Sequence, residues 1–309
     1  MKIPSFFLAA FVVAVLIGQS ARAHEADDAL TRAIAPDFAQ RWLAPLPPAR
    51  LHGDTYYVGF AGLGVVLIRT NDGLILIDGA VPQAVREVEA NIRLLGFRVE
   101  DIRYILSTEP HWDHAGGIAA LARDSGATVV ASAPAAQVLR TGRAGSDDPQ
   151  AADLAAFPAL AKVRTIAHEQ TLRLGDTIVT AHATPGHTAG SMSWSWRSCA
   201  GDDCVDVVFA ASLNAVSVEG YRFTDPSGQA IVATLRRSFA SVRAMPCDLL
   251  ITSHPDQSGI DARYRRFVAG ERPNPLIDTG ACRAYVDRAE QRLAARLDRE
   301  SATSAPPGS

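Results

Sequence analysis

Apolar and polar positions along the chain change period repeatedly, and the changes sort it into strands and helices. Val- and Ile-rich runs over 55–60, 64–70, 73–78, 102–107 and 128–131 have the length of buried strands and are bounded by turn formers. Between them the spacing turns helical. Pro82 opens a helix through Leu95, with Gly96 where a left-handed cap is expected, and a shorter helix covers 118–123. The second half repeats the plan with strands near 171–174, 177–184, 191–196 and 205–211. A long helix over 228–245, a strand over 248–252 and a last helix complete it, the last capped by Asp278 or Thr279 and running to about Arg299. Two strand sets, each followed by helices, predict an α/β fold of the αββα-sandwich kind: two mixed sheets face to face, with helices on both outer faces. Chemistry is then expected in the loops at one sheet edge.

The chain ends alter this picture little. Lys2, the apolar run from Phe6 to Ile17 and Ala21-Arg22-Ala23 read as a signal peptide over 1–23. The run is shorter than the ~20 residues a spanning helix needs. Export to the periplasm is therefore expected, with no membrane association of the mature form. Cleavage after Ala23 would remove Lys2 and Arg22 and leave 28 basic residues against 33 acidic ones, a balance that does not suit nucleic acid as a partner. One domain is expected over 24–300, as a monomer, followed by a Ser/Pro-rich disordered tail over 301–309.

Four cysteines in an exported chain point to disulfides. Cys199 and Cys204 flank a turn-like stretch between two strands, so a bridge there would clip a hairpin. Cys247 precedes the strand over 248–252 and Cys282 lies in the last helix, so a second bridge would tie that helix down. A four-thiolate zinc site is the competing reading, and the absence of any Cys-x-x-Cys pair weighs against it.

The candidate chemistry sits after predicted strands. Ser107-Thr108-Glu109-Pro110-His111-Trp112-Asp113-His114-Ala115-Gly116-Gly117 follows a strand, and its two glycines permit a tight turn into the next helix. His187 lies in Thr184-Pro185-Gly186-His187-Thr188, and His254 in Thr252-Ser253-His254-Pro255, again at strand ends. A lone strand-end histidine carries little meaning. Four histidines with two carboxylates make a ligand set for two metals, since imidazole and carboxylate are ordinary zinc ligands.

These residues resemble the metallo-β-lactamase superfamily, and more narrowly the third subclass of class B β-lactamases. The resemblance spans nearly the whole mature chain. It rests on Trp42, Tyr56-Tyr57-Val58-Gly59, Leu76-Ile77-Asp78-Gly79, Gly145-Ser146-Asp147-Asp148 and Pro185-Gly186-His187-Thr188. It continues through Arg237-Ser238-Phe239-Ala240-Ser241-Val242-Arg243-Ala244, Pro246-Cys247-Asp248 and His254-Pro255. It implies one zinc ion on Glu109, His111 and His187 and a second on Asp113, His114 and His254, with Asp113 also catalytic. The two ions would share a hydroxide that attacks the lactam carbonyl of a small-molecule antibiotic, whether penicillin, cephalosporin or carbapenem. No Ser-x-x-Lys motif is present for a covalent route. Asp78 is expected beneath the site, orienting a ligand histidine. Ser212 and Asn214 are expected to hold the substrate carboxylate, and Trp42 and Tyr57 to wall the groove.

Glu109 departs from the subclass, which usually carries histidine there. A carboxylate cancels one unit of metal charge and has more rotamers, so a weaker first zinc and a less acidic water follow. If Glu109 points away, the site is mononuclear. The alternatives to a β-lactamase are a secreted lactonase or another metallo-hydrolase of this fold, and a zinc-binding protein without turnover. Glyoxalase II-like thioesterases and many lactonases carry an aspartate at the end of the strand where this chain reads Phe209-Ala210-Ala211-Ser212-Leu213-Asn214.

Overall fold

A computed structural model of the chain describes residues 28–303. The expected signal peptide and residues 304–309 of the tail lie outside the described residues. The first sheet has seven strands in chain order: β1 (Ala49–His52), β2 (Thr55–Tyr57), β3 (Val66–Thr70), β4 (Gly73–Ile77), β5 (Ile102–Leu106), β6 (Thr128–Ala131) and β7 (Arg164–Thr165). Pairing is antiparallel up to β4 and parallel from β4 to β7. The second sheet comprises β8 (Thr171–Leu174), β9 (Thr177–Ala183), β10 (Met192–Ala200), β11 (Asp203–Ala210) and β12 (Leu249–Thr252), in the order β12-β11-β10-β9-β8. Only β11–β12 is parallel in it.

Strict alternation sends neighbouring residues to different cores. Leu67, Leu74 and Leu76 face the helices on the outside of the first sheet, while Val66, Ile68, Ile75 and Ile77 face the second sheet. On β11 and β12, Val207, Phe209, Leu249 and Ile251 meet them in that central layer. Val208, Ala210 and Leu250 point the other way, to the helices on the far side. The αββα sandwich follows from this division of one strand's side chains between two layers.

The helices are α1 (Pro36–Ala39), α2 (Val85–Leu94), α3 (Trp112–Ala115), α4 (Ile118–Ser125), α5 (Ala133–Thr141), α6 (Pro226–Ala244), α7 (Pro255–Ser258), α8 (Ile260–Val268) and α9 (Ala281–Ala302). Several depart from expectation. The helix over 82–95 begins as a tight turn at Pro82–Ala84 before α2, and Gly96 takes the left-handed conformation at φ 85°. Helix α6 starts at Pro226, two residues early, because proline suits a first turn. Gly280 stands at the N-terminus of α9, where Asp278 Oδ1 accepts the Gly280 N–H (2.8 Å) without capping the helix itself, and α9 continues past Arg299 to Ala302. Helix α5 was not anticipated: its Ala-rich sequence hides the periodicity, and its start is marked only by Ser132, which accepts the Ala135 N–H (3.2 Å). Cys199 is bonded to Cys204 across the β10–β11 hairpin, and Cys247 to Cys282, joining the approach to β12 with α9.

Candidate active site

The chemistry-bearing residues sit at the C-terminal ends of β4, β5, β9, β11 and β12, where open α/β sheets place ligands. Asp78, at φ 63° directly after β4, ties several of these ends together. Its Oδ1 accepts the Thr108 N–H (2.7 Å) and its Oδ2 the Thr108 hydroxyl (2.6 Å), and Thr108 Oγ1 lies 3.1 Å from Ser253 Oγ. The expected histidine contact is thus replaced: Asp78 positions the backbone leading to Glu109 instead of a ligand ring. Burial pushes its carboxyl pKa up to about 7 against the opposing pull of His114 and Thr108. Gly117 has no room for a side chain, because a Cβ there would lie 2.2 Å from the Gly79 carbonyl. That close approach packs the turn after His114 onto the end of β4.

The remaining backbone fixes which ring nitrogen each histidine turns inward. His111 donates from Nε2 to Asp148 Oδ2 (2.7 Å), which leaves Nδ1 as the ring nitrogen not engaged by Asp148. His187 donates from Nδ1 to the Asn214 carbonyl (3.0 Å), and His254 from Nδ1 to the Gly62 carbonyl (2.9 Å), which turns each Nε2 toward the cluster. Such outer partners set the tautomer of metal-binding histidines.

Asp113 Oδ2, His114 Nε2 and His254 Nε2 converge within 3.1–3.3 Å of one another. These three residues form a buried group able to hold a metal ion. Glu109 points inward: Oε1 lies 3.1 Å from His114 Nε2 and accepts the Ser212 hydroxyl (2.7 Å), and Oε2 lies 3.7 Å from His187 Nε2. Oε2 is buried without a hydrogen-bond partner. The mononuclear alternative with Glu109 turned away therefore does not describe this arrangement.

The electrostatics express the same demand for positive charge. Burial opposes charge on His114, yet Asp113 and Glu109 outweigh it and hold its pKa at about 10. Burial likewise works against the Asp113 carboxylate, but His114 and His254 hold it well below the usual range; Glu109 is lowered by His114, His187 and His111 despite its burial. Burial lowers His187, whereas Asp148 overrides burial and raises His111. A cluster of inward lone pairs, two carboxylates and an orphaned buried oxygen fits divalent metal ions held by imidazole and carboxylate.

Above this cluster opens a cavity of about 800 Å³ lined by His111, Asp113, His187, His254, Asn214 and Trp42, among others. Trp42 walls it as expected, its ring 5.4 Å from that of His254 and 5.8 Å from that of Trp112. Two expected groove residues lie elsewhere. Tyr57 is in the central core, where its hydroxyl donates to the Phe60 carbonyl (2.5 Å) and its ring packs 4.8 Å from Tyr264, because its place on β2 faces the second sheet. Ser212 is buried outside the cavity lining, with its hydroxyl committed to Glu109. His182, on β9, bonds Ser195 Oγ (2.7 Å) away from the cluster. Residue reasoning missed Asp148 as the partner of His111; its only signal was the Gly145–Asp148 stretch within the resemblance. It also missed Phe38 and Arg41 beside Trp42, since nothing in an isolated aromatic or arginine marks a cavity rim.

A sandwich of two sheets with Asp113, His114 and His254 able to hold a metal ion at its strand ends, and Glu109, His111 and His187 beside them, has the make-up of a metal-dependent hydrolase. The chain belongs to the metallo-beta-lactamase superfamily, which it matches over residues 65–254. A B3 metallo-β-lactamase with an active-site glutamic acid is 52% identical, with a TM-score of 0.82 and coverage of 89% of this chain and 99% of that one. The metallo-β-lactamase SMB-1, solved with 2-mercaptoethanesulfonate bound, is 45% identical, with a TM-score of 0.80 and coverage of 84% of this chain and 99% of that one. A human hydroxyacylglutathione hydrolase-like protein is 33% identical over 149 residues, 47% of this chain and 40% of the human one, so the chain spans less than half that relative's length. The B3 resemblance, its glutamate variant and the sandwich fold read from sequence are thereby borne out.

Proposed function

We propose that the chain is a zinc-dependent β-lactamase of the B3 type that opens the lactam ring of penicillins, cephalosporins and carbapenems. One observation carries the reading: Glu109 reaches into the ligand cluster, and the 52%-identical B3 enzyme likewise has an active-site glutamic acid. The end of β11 supplies Ser212 in place of the carboxylate that thioesterases of this fold use, which weighs against that activity for this chain. Export to the periplasm is part of the proposal, supported by the sequence over 1–23 and by two disulfides. No helix among the described residues is long and apolar enough to cross a membrane.

Glu109, His111 and His187 would hold one zinc ion, and Asp113, His114 and His254 a second. Bound zinc supplies an activated water near neutral pH and a counter-charge for the departing nitrogen. The chain does the rest. Asp113 has its Oδ2 engaged by His114 and His254, which leaves Oδ1 to accept a proton and return it to the leaving nitrogen. Asp148 and the carbonyls of Asn214 and Gly62 keep three imidazoles in the tautomer that binds. Trp42 gives the ring system a flat apolar wall beside His254. Asn214, on the same cavity wall, offers polar contact to the substrate.

The test is hydrolysis of a carbapenem and a cephalosporin by purified protein, followed by ultraviolet absorbance across a zinc titration with a chelator control. Turnover that rises with zinc and vanishes with chelator is expected. Zinc uptake with both drugs intact would overturn the substrate assignment, and turnover of lactones in that sample would move it to a lactonase.

A further inference from the structure

Ser212 stands where the resemblance expects a substrate contact, yet its surroundings give it other work. It lies two residues past the end of β11, is 1% exposed, and takes no part in lining the active-site cavity. Ala211, just before it, is held at both its amide and its carbonyl. The Ala211 N–H donates to Ser193 Oγ (3.1 Å) on β10, which lies 2.9 Å from Thr184 Oγ1, and the Ala211 carbonyl accepts the Tyr285 hydroxyl (3.2 Å) from α9. From this fixed base the Ser212 hydroxyl donates to Glu109 Oε1 (2.7 Å). A serine hydroxyl has one proton to donate, so while that bond stands none is left for a substrate carboxylate. Glu109 is the side chain that needs restraint, because a carboxylate can bind a cation through one oxygen or two. Its Oε1 lies 3.1 Å from His114 Nε2 in one ligand group, and its Oε2 lies 3.7 Å from His187 Nε2 in the other. Ser212 engages Oε1, and Oε2 is the buried oxygen with no hydrogen-bond partner.

We propose that the Ser212 hydroxyl is a positioning group for Glu109: by engaging Oε1 it commits the carboxylate, through Oε2, to the site of His111 and His187 and keeps it from bridging to the site of Asp113, His114 and His254. This rests on the reading of Glu109 as a zinc ligand and not on the identity of the substrate. The role is tied to the carboxylate at position 109, since an imidazole there has no second oxygen to restrain. Ser212 acts on the metal only through Glu109 and has no part in bond breaking.

Chelator competition on the purified protein reads the affinity for each zinc ion, and the step that Glu109→His shifts marks the first site. Ser212→Ala, which removes a single oxygen, is expected to weaken that site about tenfold, as the loss of an outer partner of a metal ligand does. The second site should stay within about twofold, and so should both sites when Ser212→Ala is combined with Glu109→His. A hydroxyl that merely supported the fold would move both sites, or act equally in both backgrounds. That result, or an unchanged first-site affinity, overturns the proposal. The competing role is read at saturating zinc, by comparing a cephalosporin with its methyl ester. The ratio of the two KM values is expected to be the same in Ser212→Ala as in the wild type; a rise confined to the free acid would return Ser212 to the substrate carboxylate and overturn the proposal. If the wild type hydrolyses no lactam and Ser212→Ala still weakens the first site alone, the β-lactamase reading fails and the positioning role stands. If no step responds to Glu109→His, Glu109 is not a ligand and Ser212 loses the role with it.

Discussion

Glu109 shows how one side chain can be read for identity but not for its surroundings. Its place in Glu109-Pro110-His111 marked it as a ligand candidate, and the structure turns it inward toward His114 and His187. Sequence could not show that Oε1 is already engaged by Ser212 and His114, which leaves Oε2 as the free donor. An imidazole at this position would have no such internal claim on its donor atom and fewer rotamers to lose. Glu109→His is therefore expected to tighten the first zinc site on the order of tenfold, as outer contacts to ligands commonly do. Competition with a fluorescent chelator measures it, and unchanged affinity and stoichiometry would show that Glu109 is not a ligand. Ser212 and Tyr57 were misplaced for a related reason: a hydroxyl or ring at a suggestive position has several possible partners, and only three-dimensional packing decides among them.

At the level of elements, alternation was legible wherever a strand lies between two cores. Strands β3 and β4 show it, because each second residue is sent to an opposite apolar layer. Short edge elements escaped: β7 is two exposed residues, too short to carry a pattern, and β1 is partly exposed with a register shift beside β2. The disulfides followed from where the cysteines fall relative to strands and helix. They differ in reach, one closing a separation of 5 residues and the other of 35. Chain-entropy reasoning gives roughly 2 kcal/mol for the short loop and roughly 4 kcal/mol for the long one. Replacing Cys247 and Cys282 together by alanine should lower Tm more than replacing Cys199 and Cys204 together, and should expose α9 to proteolysis first. Thermal melts of the two double variants settle the order, and the reverse ranking would mean that α9 is held by its apolar face against Val208, Leu235 and Phe239 rather than by the bridge.

For the whole molecule, the ligand cluster joins the two sheets: Glu109, His111, Asp113 and His114 follow β5 of the first, and His187 and His254 follow β9 and β12 of the second. Metal binding should therefore stabilise the entire sandwich. At a zinc concentration 100 times Kd the gain is about 2.7 kcal/mol, which for a domain of this size raises Tm by roughly 5–10 °C. The gain should depend on pH through His114. Its folded pKa of about 10 lies above the ordinary 6.5, so in metal-free protein its protonation stabilises the fold fully below pH 6.5, and that contribution fades as pH rises toward 10. Zinc needs this imidazole unprotonated, so it must displace the proton at low pH and meets less competition at high pH. Metal-free Tm and the zinc-induced increment should accordingly move in opposite directions between pH 6.5 and 9 as far as His114 governs them. Calorimetric melts with and without zinc at those two pH values provide the comparison, with proton release on zinc addition measured by a pH indicator. An increment that stays constant across this range, with no proton released, would mean that His114 is already neutral in the metal-free protein and that the positive charge demanded by Asp113 and Glu109 is supplied by another group.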